Sequence, residues 1–386
     1  MTTVVATPLS RTPPRRVRTS TVTPDLLASL AAAGLGALGL VWLLFERLLP
    51  LSGTLGFWLC WYTTFLVLYG IVVASTQDRL AVSDRIAAVL FSTAGLVLFA
   101  VLLLVVGFVV SRGWDAVRHL NFFTQTTALI GPDEPLNRGG IYAAAVGTLE
   151  QVALSTLISV PLGIATALYL NEVRGKLAGV VRTIVEAMTA IPSILAGLFI
   201  FAAVVLTLGF NRSGLAASLA LAVEMLPIVT RTSELVLRLV PNGLREASAA
   251  LGASQWETVR RVVLPTARPS LVTAVLLGVA RVVGETSPIL LTAGFTNELN
   301  YDPLHGPMVS LPLFAFTEVK FPLDNAIARA FGAAVALLLL VLVLFTAARV
   351  IGGRPVGHTH RRERRRLQRT FENSPDPTAR RQVSAP

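Results

Sequence analysis

Eight stretches of this chain, each about 20 residues long and nearly free of charge, constrain its fold more than any other feature. They fall near 26–45, 55–74, 86–110, 141–170, 184–209, 215–239, 271–293 and 326–350. In hydrocarbon every backbone N–H and C=O has to be satisfied without water, and only helices and closed barrels manage that. Runs of this length are helices, so the sequence predicts an all-α polytopic membrane protein with about eight transmembrane helices. Composition agrees, because 14% of the 386 residues are charged against about 25% in soluble domains.

Charge placement orients the spans. With both termini in the cytoplasm, about 24 of the 33 Lys and Arg fall in cytoplasmic segments and about 6 in external ones. Arg231, Arg281 and Arg329 remain in or near spans. The flipped arrangement would put the basic tail outside, so the expectation is a multi-pass cell-membrane protein with cytoplasmic termini. The net charge of +11 comes largely from the runs around 11–18 and 361–369. Such runs suit anionic lipid headgroups and require no nucleic acid. The first apolar stretch lacks a small-residue cleavage site and reads as a retained span rather than a removed signal.

Catalytic chemistry finds little support. Cys60 is alone, and His119, His305, His358 and His360 follow no ligand spacing. Neither Lys176 nor Lys320 is followed by Ser or Thr, so the phosphate-cradling G-x-x-x-x-G-K-[ST] loop is missing. The expectation is a non-catalytic chain without its own cofactor, in which any ATP used is hydrolysed by another polypeptide.

The organisation reads as a tail (1–25), a two-span hairpin (26–82), six further spans (83–351) and a basic tail (352–386). The segments 111–140 and 296–325 read as long external loops with Gly, Pro and Asn clusters. In the fourth span Gly147, Ser155, Ser159 and Gly163 recur at four- and eight-residue spacing, a pattern of close helix packing. Pro161, Pro192, Pro227 and Pro288 lie in or beside spans, where each removes a hydrogen bond and favours a kink.

Charged residues within hydrocarbon usually mark function. The sixth span carries Glu224, Arg231 and Glu234, and the seventh carries Arg281 and Glu285; Glu150 and Glu186 are further candidates. Spacings of three, four and seven put each set on one helix face, where its members can pair. Two readings stay open at this point. The pairs either fix helix packing, or the arginines touch a passing anion while the glutamates weaken their grip. The planar fork of Arg suits an oxyanion, and an arginine without a counter-charge would release it too slowly for transit.

Segment 244–268 reads LREASAALGASQWETVRRVVLPTAR. Glu246, Ala247 and Ser248 are followed after three residues by Gly252, and after nine more by Val262, Leu264 and Pro265. This resembles the EAA loop of ABC-importer permeases, with Ser for the third Ala and Val for Ile. The stretch 278–295, GVARVVGETSPILLTAGF, resembles the A-R-x-x-G-E-T-A-P-L-L-x-T-A segment of PstA-type permeases of phosphate ABC transporters. Gly139–Gly140–Ile141, Val160–Pro161–Leu162–Gly163, Ile191–Pro192–Ser193 and Ser310–Leu311–Pro312 follow in that family's order, and the resemblance covers about 83–351. It implies a six-helix type I importer core preceded by an extra two-helix hairpin. It also implies inorganic phosphate as cargo, a PstC-type second permease, two PstB-type ATPases and a PstS-type extracytoplasmic binding protein. Arg231, Glu234, Arg281 and Glu285 would lie in the path. Residues 246–252 would dock on the ATPase, on a short helix for which 244–254 supplies good formers and Gly252 a tight turn. Other readings are a permease for phosphonate or sulfate, an ion-coupled secondary transporter, and a subunit reporting phosphate status.

Overall fold

The computed structural model describes residues 24–48, 53–75, 78–173 and 175–352. The basic runs at 11–18 and 361–369, and both expected tails almost entirely, lie outside them. Among the described residues there is no strand. Seven helices are long and apolar enough to cross a membrane, or eight if one sharply bent pair counts as a span. The chain divides into two compact units, Met1–Val105 and Val106–Pro386.

The first unit holds α1 (Pro24–Leu43) with a π-helical turn at Leu44–Leu48, α2 (Thr54–Ala74) and the first part of α3 (Arg79–Val117). Trp61, Phe65 and Tyr69 recur every four residues on one face of α2 and stack, with centroids 5.9 and 6.0 Å apart. Trp61 Nε1 donates to the Gly34 carbonyl of α1 at 3.1 Å. The Tyr62 and Thr93 hydroxyls meet at 2.6 Å, so α3 joins the hairpin. The compact unit therefore reaches to 105, further along the chain than span counting placed the hairpin.

The second unit continues from α3 through α4 (Asn121–Thr124), α5 (Tyr142–Glu172), α6 (Lys176–Thr189) and α7 (Ser193–Ile200), the last extended by π-helical Phe201–Thr207. Then come α8 (Gly214–Arg238), α9 (Asn242–Ala250), α10 (Gln255–Thr258) and π-helical Val259–Val263. The unit closes with α11 (Leu264–Val283), α12 (Ser287–Thr292), α13 (Leu311–Glu318) and α14 (Asp324–Gly352). Helix α8 is its centre, with Leu221, Met225, Val229 and Leu237 all buried. Two glycines let α5 and α11 approach it. A Cβ at Gly163 would lie 2.9 Å from Val229 Cγ1, and one at Gly278 2.9 Å from Val229 Cγ2. The small-residue stripe of α5 is thus packing: Gly147, Ser155, Ser159 and Gly163 are all buried, and Ser159 donates to the Ala222 carbonyl at 3.1 Å.

Four expected elements come out differently. The fifth span is not one straight helix, because α6 and α7 with its extension meet at 106°. Pro192 stands at the break with φ −58° and ψ 140°, and a residue preceding proline is pushed out of the helical region. The seventh stretch is displaced toward its N-terminal side. A continuous helical run covers Gln255–Val283, and the chain leaves the helix at Gly284 before α12 restarts beside Pro288. The 296–325 segment is no simple surface loop. It contains α13, and Met308, Val309, Leu311, Leu313 and Phe314 are buried. Likewise α3 runs on to Val117 before the 111–140 segment becomes irregular.

Contacts sort the second unit into two ends. At one, the start of α8 meets the segment after α12, with Leu215 N donating to Pro303 O at 2.6 Å. Arg329 of α14, buried there, donates to the Pro132, Glu134, Pro135 and Arg138 carbonyls. At the other end lie the C-terminus of α5, the C-terminus of α8 and α9.

Candidate functional site

Helices α8 and α11, with the α6–α7 break, enclose a cavity of about 390 Å³ lined by Thr189, Ser193, Glu224, Pro227 and Arg281 among others. The Arg281 side chain is 63% exposed and its Nη2 stands 4.0 Å from Glu285 Oε1, a loose contact. Glu285 follows Gly284, where α11 has ended, and its N–H donates to Val282 O at 3.1 Å. Glu224 Oε1 is buried with no hydrogen-bond partner among the described residues. Chemically this is a guanidinium with unused donors and a carboxylate with one unpartnered oxygen, lining one cavity whose walls are otherwise mostly apolar. A larger cavity of about 620 Å³ beside α5, α11 and α14 is lined by hydrocarbon and offers an anion a single cation, Arg268.

The sixth-span charges are distributed otherwise than their spacing predicts. Arg231 does not pair with Glu234. Its Nη2 meets Glu186 of α6 at 3.0 Å, both side chains about half exposed. Glu234, 8% exposed, is gripped by Arg182 of α6 at 2.8 Å and by Arg238 one turn along α8. The physical reason is that α6 lies against this end of α8 and supplies cations and anions of its own. Glu234 is therefore a tie between two helices. Arg231 keeps an accessible face seven residues, about 10 Å, from Glu224 along α8. Glu150 lies on α5 and does not line the cavity.

The 244–268 segment holds a short helix, a turn at Gly252 and a second helical run. Pro241 opens α9, which covers 242–250 where 244–254 was expected. Gly252 takes φ +82°, a left-handed conformation that glycine adopts without steric cost. Ser254 and Glu257 then form a capping box at the start of α10. The Ser248 and Thr258 hydroxyls meet at 2.8 Å and pin α9 to α10. Leu264 begins α11, with Pro265 in its first turn, directly after the π-helical turn Val259–Val263; a proline here cannot donate to the preceding turn. Glu246 and Ala247 face outward, as do Leu251 and Trp256, at 89% and 66% exposed.

The family described as binding-protein-dependent transport system inner membrane component matches residues 159–355. The phosphate transport system permease protein PstA 1 of Mycobacterium tuberculosis (strain CDC 1551 / Oshkosh) is 40% identical over 274 residues, 71% of this chain and 90% of that protein. The PstA protein of Mycobacterium leprae is 40% identical over 281 residues, 72% of this chain and 92% of its own length. The chain belongs to the PstA-type permeases of this family. Among solved structures, an inward-facing MetNI methionine ABC transporter chain is similar with TM-score 0.45 and 24% identity, covering 55% of this permease and 93% of that chain.

Sequence reasoning missed the partners of the permease's charged residues. Arg182 sits mid-way along α6 and Glu172 at the last residue of α5, and nothing in their local spacing points to Glu234 or Arg245. The only available signal was that Arg182 and Glu186, four apart, lie just before the Ile191–Pro192–Ser193 break.

Proposed function

We propose that this permease is the PstA-type subunit of an ATP-driven importer of inorganic phosphate, with α8 and α11 lining the path and α9 receiving the ATPase. What carries the reading is the 40% identity to curated phosphate permeases across about nine-tenths of their length. Arg281 in the open cavity adds a chemical fit. Its fork offers parallel donors to a tetrahedral oxyanion, and Glu224 and Glu285 nearby keep the hold weak enough for release. The chain supplies no hydrolytic chemistry of its own and forms the path with a PstC-type permease. Two PstB-type ATPases on the cytoplasmic side hydrolyse ATP, and a PstS-type protein delivers the ion to the opposite face. Both termini are cytoplasmic in this arrangement, which places Leu251 and Trp256 where an ATPase reaches them.

The test is substrate competition in proteoliposomes carrying the reconstituted complex. ATP-dependent uptake of labelled phosphate should be suppressed by unlabelled phosphate and unaffected by equimolar sulfate or phosphonate. Uptake of sulfate without phosphate would replace the cargo, and uptake driven by a proton gradient without ATP would replace the mechanism.

A further inference from the structure

Arg245 of α9 brings three helix ends together. Its Nη2 donates to the Leu237 carbonyl at 3.1 Å, and its Nη1 donates to the Val240 carbonyl at 3.2 Å and to Asn242 Oδ1 at 3.1 Å. The same Nη2 meets Glu172 Oε1, on the last residue of α5, at 3.2 Å. Both side chains are largely buried, Arg245 at 21% and Glu172 at 16% exposed. Glu172 is held a second time, its backbone carbonyl accepting from Gln255 Nε2 of α10 at 3.0 Å. Leu237 lies in the last turn of α8 and Val240 in the corner after it, where helix-end carbonyls favour a cation.

Covalently, α9 is joined to α8 through the short corner 239–241, but no such link joins it to α5. A push on α9 reaches α8 along the backbone and through the Arg245 fork. It reaches α5 through Glu172, whose side chain is held by Arg245. We propose that Arg245 is a positioning residue that makes α9, α8 and α5 move as one body, so that ATP-driven displacement of α9 shifts the path helix α8 together with α5. This rests on the reading above, in which α9 docks an ATPase. Only arginine fits, because a planar fork addresses two carbonyls and a carboxylate at once while lysine presents a point charge.

The test measures phosphate imported per ATP hydrolysed by the reconstituted complex, normalised to assembled complex. In Arg245→Ala, ATP hydrolysis persists and the ratio falls at least about fivefold, the lower bound of a typical coupling energy. Glu172→Gln lowers the ratio through the same link, so Arg245→Ala/Glu172→Gln is no worse than Arg245→Ala alone. A wild-type ratio in Arg245→Ala, or losses that multiply in the double variant, overturns the proposal. If Arg245→Ala does not assemble, Glu172→Gln alone decides by the same ratio. Leu251→Asp separates the two claims. It changes an exposed residue at the tip of α9 and should release the ATPase. If the ATPase stays bound and active, the docking reading fails and the strut falls with it. Release by Leu251→Asp with an unchanged ratio in Arg245→Ala removes the strut alone.

Discussion

Val229 shows how little room separates the helices around α8. Glycines of α5 and α11 press on its two methyl groups, each so close that a Cβ would stand 2.9 Å away. Gly163→Ala should therefore cost about 1–3 kcal/mol of stability through overpacking, and adding Val229→Ala should recover part of it, as read from thermal unfolding of the purified complex. The glutamates separate by role. Glu234→Gln loosens its two arginines and should lower thermal stability by about 1 kcal/mol, near the low end for charged hydrogen bonds because both arginines reach solvent. Uptake per assembled complex should hold. Glu224→Gln should do the reverse, leaving the unfolding midpoint unchanged and altering uptake. Equal effects of the two variants on both measurements would mean that neither assignment stands. Which residues are charged inside spans is legible from sequence, because hydrocarbon makes each one conspicuous. Their partners are not, since Arg231 has Glu234 three residues away and still chooses Glu186 on another helix.

At the scale of elements, length and apolarity revealed the straight helices α1, α2, α5, α8 and α14 to within a few residues. They failed where a proline or glycine divides a greasy run. The expected fifth span keeps its composition but turns through 106° at Pro192. The seventh run ends at Gly284, so its last residues form the separate α12. A hydropathy window sums composition and is blind to such breaks. The 244–268 segment was legible for a different reason, since its motif fixes positions and not only polarity. Gly252 falls at the left-handed turn between α9 and α10. Gly252→Trp should strain that turn, because φ is +82°, and put an indole beside Leu251. The measurement is co-purification of the ATPase with stimulated hydrolysis. Both should drop, and full retention of both would argue that this surface is not where the ATPase docks.

Considered whole, the second unit has two unlike ends. The α9 end exposes Leu251 and Trp256, while the opposite end has Arg329 buried beneath the 131–138 segment. Leu251→Cys should react with an impermeant maleimide only from the cytoplasmic side, and Leu129→Cys, fully exposed in the 111–140 segment, only from outside, in a Cys60→Ser background. Reversed labelling would invert the topology and detach the coupling reading from its ATPase. The central claim joins that end to the cavity, in that ATP consumed below moves an oxyanion past Arg281. The measurement that tests it most directly is ATP-dependent uptake of labelled phosphate by proteoliposomes with wild-type or Arg281→Ala permease, at matched ATPase content and matched thermal stability. Uptake by wild type and its loss in Arg281→Ala, with the complex intact, is the predicted result. Undiminished uptake in Arg281→Ala would contradict the claim and place the phosphate path elsewhere.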